Sequence, residues 1–157
     1  MRNAVVLFLV TMLGCVPSAV EAKGKKGRLN ESLTVTRRDE IDLERRGSTD
    51  FVDVDGLTVT VTVDHEAVVV CHGVVVAGSD SPGLHDLGLS VDGVADPEPL
   101  SQNVPTQTVS LPVLRSVTLS PGTHVLKVQI RGAFGDGTPR PDFQVYLRNR
   151  RLVVLVY

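Results

Sequence analysis

The chain has 157 residues, a formal net charge of −2, 42% hydrophobic and 4% aromatic residues, two Cys and no Trp. That length suits one domain, the charge balance makes no case for nucleic-acid binding, and two Cys exclude a disulfide-rich miniprotein. The 29 Val against 7 Ala and 4 Lys argue against an all-α protein, because Val loses rotamer freedom in a helix and packs well on a pleated sheet.

Met1-Arg2-Asn3 opens with a positive charge, and Ala4 to Val16 then runs almost wholly apolar for 13 residues. That run falls short of the roughly 20 residues a membrane span needs and suits the apolar region of a signal peptide. Small residues at Val20-Glu21-Ala22 place cleavage before Lys23, so residues 1–22 read as a signal peptide. The alternative uses Leu13-Gly14-Cys15 as a lipobox, which would lipidate Cys15 and anchor the protein to a membrane. A secreted or periplasmic location follows from the first reading and an anchored lipoprotein from the second. Without Cys15 no intrachain disulfide can form, and the apolar setting of Cys71 marks it as a small core residue.

Residues 23–47 carry eight basic and five acidic side chains, whereas residues 48–157 carry seven and twelve. Lys23 to Arg28 reads as a linker, Leu33 to Thr36 as one short strand, and Arg37 to Arg46 as a solvated stretch or short helix. This basic arm is either a soluble tether or an attractor for anionic surfaces.

From Ser48 onward the pattern is that of strands. Phe51 to Val54 runs into Asp55-Gly56, a tight-turn signal. Leu57 to Val63 alternates strictly, with Val59, Val61 and Val63 on one face and Thr58, Thr60 and Thr62 on the other. Ala67 to Ala77 is a strongly apolar strand, and Asp86 to Asp92 alternates and closes on Asp92-Gly93. Thr106 to Leu111 and Val113 to Leu119 flank Pro112, which marks an edge or a bend. Ser120-Pro121-Gly122-Thr123 is a turn. His124 to Arg131 alternates, with Leu126, Val128 and Ile130 together. A Gly/Pro-rich loop spans Gly132 to Asp142. Phe143 to Arg148 and Arg151 to Tyr157 read as a terminal pair around Asn149-Arg150. About eight strands at this turn spacing predict an all-β antiparallel sandwich over residues 48–157.

Ser90-Val-Asp-Gly93, the turn and strand from Leu119 to Arg131, and the final Arg151-Leu-Val-Val-Leu-Val156 carry a resemblance. They resemble the jelly-roll modules of phage tail and fibre proteins and of exported bacterial proteins, over roughly Phe51 to Tyr157. The resemblance implies a jelly-roll fold. Its motifs are turns and strands, so it implies no catalytic residue. The turn also has a local reading, in which His124 is a hydrogen-bonding residue at a strand start.

The residues offer little chemistry. His65, His72, His85 and His124 fall in no metal-binding spacing, no Gly-x-Ser-x-Gly occurs, and Gly132 to Gly137 precedes no helix that would bind phosphate. No catalytic residue and no resident metal or cofactor is assigned. Asp50, Asp53 and Asp55-Gly56 resemble part of a Ca²⁺ loop but fit turn formers and edge charges better. The best binding-loop residues are Phe134, Asp136 and Arg140, since loops on a rigid sandwich carry recognition.

The apolar strands ask for a cover. Val68, Val70, Val74 and Val76 share one face of their strand while Val69, Cys71 and Val75 fill the other, and Leu152 to Val156 is apolar on both faces. Burying four further Val side chains is worth about 6 kcal/mol. The cover is either the Leu29 to Leu43 arm or another subunit, and with self-association as the preferred reading these four residues are the candidate oligomer face. The sequence thus predicts an exported, non-enzymatic, jelly-roll-like sandwich with a structural or binding role at the cell exterior, which self-associates. The second reading is a glycan-binding or adhesion module around Phe134, with a polysaccharide or surface protein as partner. The third is a small metal-dependent enzyme. No nucleic-acid partner is expected, and a membrane only through Cys15.

Overall fold

A computed structural model of the chain describes residues 19–22, 29, 31–79, 83–136 and 138–157. Most of the expected signal peptide, Cys15, and the Lys23 to Arg28 linker lie outside the described residues. Among the described residues the regular structure is all strand: β1 Ala19–Ala22, β2 Glu31–Arg37, β3 Ile41–Arg45, β4 Val52–Val63, β5 Ala67–Gly78 and β6 Gly83–Val91. There follow β7 Leu100–Val104, β8 Val109–Leu119, β9 Gly122–Ala133, β10 Pro139–Arg140 and β11 Phe143–Val156.

The strands form two sheets packed face to face as a β-sandwich. The first runs β1-β4-β9-β6-β7, with β10 beside β9. The second runs β2-β11-β5-β8, with β3 beside β11. Pairing is antiparallel throughout except for β1, which lies parallel to Thr60–Val63 of β4.

The pairs are nested. β2 and β3 meet β11, β4 meets β9, β5 meets β8, and β6 meets β7. This is the pattern of one long hairpin wrapped on itself until its arms fall alternately into two sheets.

The period-two pattern explains the core. Val59, Val61 and Val63 of β4, Leu126, Val128 and Ile130 of β9, and Leu87 and Leu89 of β6 fill the inner side of the first sheet. Val69, Cys71 and Val75, Leu111 and Val113, and Val145, Leu147, Leu152 and Val154 meet them from the second.

Four local expectations are corrected or refined. Residues 37–46 are not a free polar stretch or a helix, because β3 pairs with the first half of β11 while β2 pairs with the second. Ile41 and Leu43 supply the alternation, and both pack against the core. Asp55-Gly56 does not end a strand. It forms an irregularity inside continuous β4, where the register on β9 shifts between Asp53 and Thr58 and Gly56 sits at φ +72°. Asn149-Arg150 likewise bends one 14-residue strand instead of reversing the chain, with Asn149 at φ +43°. Pro112 lies inside β8 at the sheet edge, where its missing N–H breaks no ladder bond.

Asp92-Gly93 is the tight turn the sequence implies. Both residues have positive φ, at +51° and +83°, and Val91 and Val94 exchange backbone hydrogen bonds across it.

Candidate functional site

The two outer faces of the sandwich differ in chemistry. On the first sheet, Asp53 accepts from Lys127 Nζ and Gln129 Nε2, both at 2.6 Å. These two bonds hold the Asp53 carboxyl below its ordinary range against the burial that would raise it. Asp86, almost fully buried, accepts from Arg131 Nε at 2.9 Å and from Ser101 Oγ. The Arg131 guanidinium lies 4.5 Å from the centre of the Phe51 ring. This face is a polar lattice, in which Gln129 Oε1 and Ser90 Oγ find no partner among the described residues.

Val and Leu side chains dominate the middle of the second sheet's outer face, with exposed His72 and Arg151 among them and Arg148 and Glu40 at one end. Register places Ser32, Leu155, Val70 and Ser116 in one row across β2, β11, β5 and β8. The next two rows are Thr34, Val153, His72, Leu114 and Thr36, Arg151, Val74, Pro112. Val76 and Val68 extend the β5 column at either end. Val68 is 44% exposed and Leu114 58%. Val70, Val74, Val76, Val153 and Leu155 are half-buried.

The four Val residues named from the sequence therefore do share an exposed face, and β11 and β8 widen it. Leu114 and Pro112 escaped the sequence reading because β8 has its buried residues at odd positions, so an apolar residue at 114 looks like irregular alternation. His72 stands exposed in the middle of this face. The rims are uncharged hydroxyls, Ser32, Thr34 and Thr36 on one side and Ser110, Ser116 and Thr118 on the other.

At one end of the same face a shallow groove of about 310 Å³ is lined by Glu40, Gly78, Thr106, Thr108, Tyr146 and Arg148. Glu40 and Arg148 pair with each other there.

The loop candidates do not converge. Phe134 is 48% exposed. Asp136 turns back on its own loop, accepting from Thr138 N–H at 2.9 Å and Thr138 Oγ1 at 2.7 Å. Those two bonds hold the Asp136 carboxyl below its ordinary range. Arg140 sits on β10, paired with Gly132 in the interior-facing row of β9.

Asp50 accepts from Ser48 Oγ at 2.7 Å, and Asp53 is held by Lys127 and Gln129. Among the described residues no three His, Cys, Asp or Glu side chains gather as a metal site.

His124 does bond at a strand start. Its Nδ1 lies 2.7 Å from Asp92 Oδ2 and its Nε2 lies 2.9 Å from the Ser120 carbonyl. Both partners are acceptors, so the two bonds are made together by the protonated ring. Asp92, then the Ser120 carbonyl, raise the His124 pKa. Asp92 also accepts from Val125 N–H at 2.7 Å, and this bond, then His124, lowers its own pKa. Cys71 is buried completely as a free thiol, and burial pushes its pKa up to about 12.

No family model matches the chain, and no curated protein matches it.

Proposed function

We propose that the protein is an exported, non-enzymatic β-sandwich of jelly-roll type that works by assembling with copies of itself through the outer face of its second sheet. The apolar outer face is the observation that carries this reading. A sheet of a sandwich ordinarily wets its outer side and alternates accordingly. Here the outer side of the first sheet obeys and that of the second does not.

Size also supports it. Four strands about 4.8 Å apart, with β5 extending about 40 Å, span a face of about 760 Å², close to the ~800 Å² each partner of a stable interface buries. An apolar centre with hydroxyl rims is the anatomy of such an interface. The hydroxyl rims are uncharged, and the charges on this face are Arg151 in the third row and the Arg148–Glu40 pair at one end.

The nested pairing supports the jelly-roll reading, since wrapping a hairpin in this way is how that fold arises, with β2 and β3 together as the first of eight arms. It agrees with the resemblance to phage-fibre and exported bacterial modules. Export rests on the signal-like sequence of residues 1–22. Cleavage before Lys23 would also remove β1 and uncover the Thr60–Val63 edge of β4.

Light scattering on the chain from Lys23 onward tests the assembly. We expect a mass at least twice that of one chain at micromolar concentration. A monomer there would sink the proposal.

A further inference from the structure

The inner side of the first sheet ends in a basic cluster. Arg140 on β10 pairs with Gly132 on β9, which pairs with His85 on β6. That row follows Leu126, Val128 and Ile130, so it lies on the interior side of the sheet. The two glycines make room for the guanidinium. A Cβ on Gly132 would fall 3.2 Å from Arg140 Nε, and one on Gly83 would fall 2.9 Å from Arg140 Nη1. The Arg140 side chain therefore reaches from β10 across β9 to β6. Phe143 of the facing sheet packs edge-on against the His85 ring, with centroids 5.7 Å apart.

Three nitrogens of this cluster are buried without a hydrogen-bond partner: Arg140 Nε, Arg140 Nη2 and His85 Nε2. Nε and Nη2 form the side of a guanidinium that receives both oxygens of a carboxylate. A buried donor pair on a permanent cation is costly to leave unmet. Among the described residues the nearby carboxylates are engaged elsewhere. Asp86 is held by Arg131 and Ser101, Asp136 by Thr138, and Asp142 Oδ1 accepts from Gly47 N–H. His85 Nδ1 lies 3.1 Å from the Gly83 carbonyl. That bond needs the proton on Nδ1, so Nε2 presents a lone pair that wants a donor.

We infer that this end of the sandwich binds a small carboxylate with a neighbouring hydroxyl, the carboxylate on the Arg140 Nε–Nη2 edge and the hydroxyl donating to His85 Nε2. The β9–β10 loop leads into Arg140, and the Phe134 N–H bonds the Thr138 carbonyl across it at 2.8 Å.

Glycolate is the probe, with acetate lacking the hydroxyl and chloride at matched ionic strength as comparisons. The unfolding midpoint should rise saturably by a few degrees with glycolate, less with acetate, and not with chloride. Arg140→Lys, which keeps the charge and loses the fork, should abolish the response. Should that variant fail to fold, the ring nitrogens of the wild-type chain give a second readout. Glycolate should shift the His85 Nε2 resonance and leave His124 unmoved. Equal midpoints in glycolate and chloride, or a His85 resonance that does not respond, would overturn the site. Equal responses to acetate and glycolate would overturn the hydroxyl contact.

Discussion

Arg150 shows how much one side chain can hold. It is fully buried, and it reaches three carbonyls: Asp39 O at 2.9 Å, Leu147 O at 3.1 Å and Asp55 O at 3.2 Å. It also takes both carboxylate oxygens of Asp39, at 3.1 and 3.2 Å. The Asp39 carboxyl is held below its ordinary range first by its own backbone N–H and then by Arg150. One guanidinium thus ties the bend in β11 to the break between β2 and β3 and to the irregularity in β4. Arg150→Ala removes a buried cation and strands three carbonyls, so it should cost about 3 kcal/mol or more in denaturant unfolding. A loss below ~1 kcal/mol would show these groups to be satisfied by solvent.

The His124–Asp92 pair predicts a pH dependence. Folding raises the His124 pKa, so its contribution is complete below the ordinary value of 6.5 and is lost as pH rises through the folded value. Folding lowers the Asp92 pKa, so its contribution is present above 3.8 and is lost as pH falls through its folded value. The stability gap between wild type and His124→Gln should therefore be widest around pH 5–6 and should close towards pH 9. A gap constant over that range would contradict the charged pair. Cys71 should resist thiol reagents in the native chain and react after denaturation.

At the scale of elements, alternation made most of the strands legible. β4 from Leu57, β5, β6 and β9 were readable because a half-buried strand has no other way to place its apolar residues. The bends were misread for a physical reason. Asp-Gly and Asn-Arg supply the positive φ that a tight turn needs, and a bulge inside a strand needs the same conformation. Only a long-range contact decides which one forms, and here Arg150 of the β11 bend bonds the Asp55 carbonyl of the β4 irregularity, 95 residues away. β3 was hidden by its charges, since an edge strand exposes one side, and only Ile41 and Leu43 betray the other. The Arg140–His85 cluster was half visible. Arg140 stood out as a loop residue, but its inward direction follows from pairing with Gly132.

Gly56 tests the β4 irregularity. Its φ is +72°, and a Cβ there would fall 2.7 Å from Arg37 Cγ and Nε. Gly56→Ala should destabilise by about 1 kcal/mol from backbone strain, and more if Arg37 cannot swing away. Gly47→Ala shares the positive φ, at +67°, but meets nothing within 4 Å, and should cost less.

At the scale of the whole molecule the asymmetry of the two outer faces is the main fact. One sheet closes its outer side with Asp53, Lys127, Gln129, Asp86 and Arg131, and the other leaves Val, Leu and Pro facing out. The β8 edge is guarded. β8 carries Pro112 and turns Arg115 inward to Asp96, a device that blocks edge-to-edge growth. In the proposed assembly the contact is made by the face and not by the β8 edge.

Sedimentation of two single-charge variants tests this claim most directly. Val70→Asp places a carboxylate at the centre of the apolar face, and Thr58→Asp places one on the first sheet beside Lys127. The wild type and Thr58→Asp should sediment as assemblies at micromolar concentration, and Val70→Asp as a folded monomer. Identical sedimentation of all three chains would contradict the account.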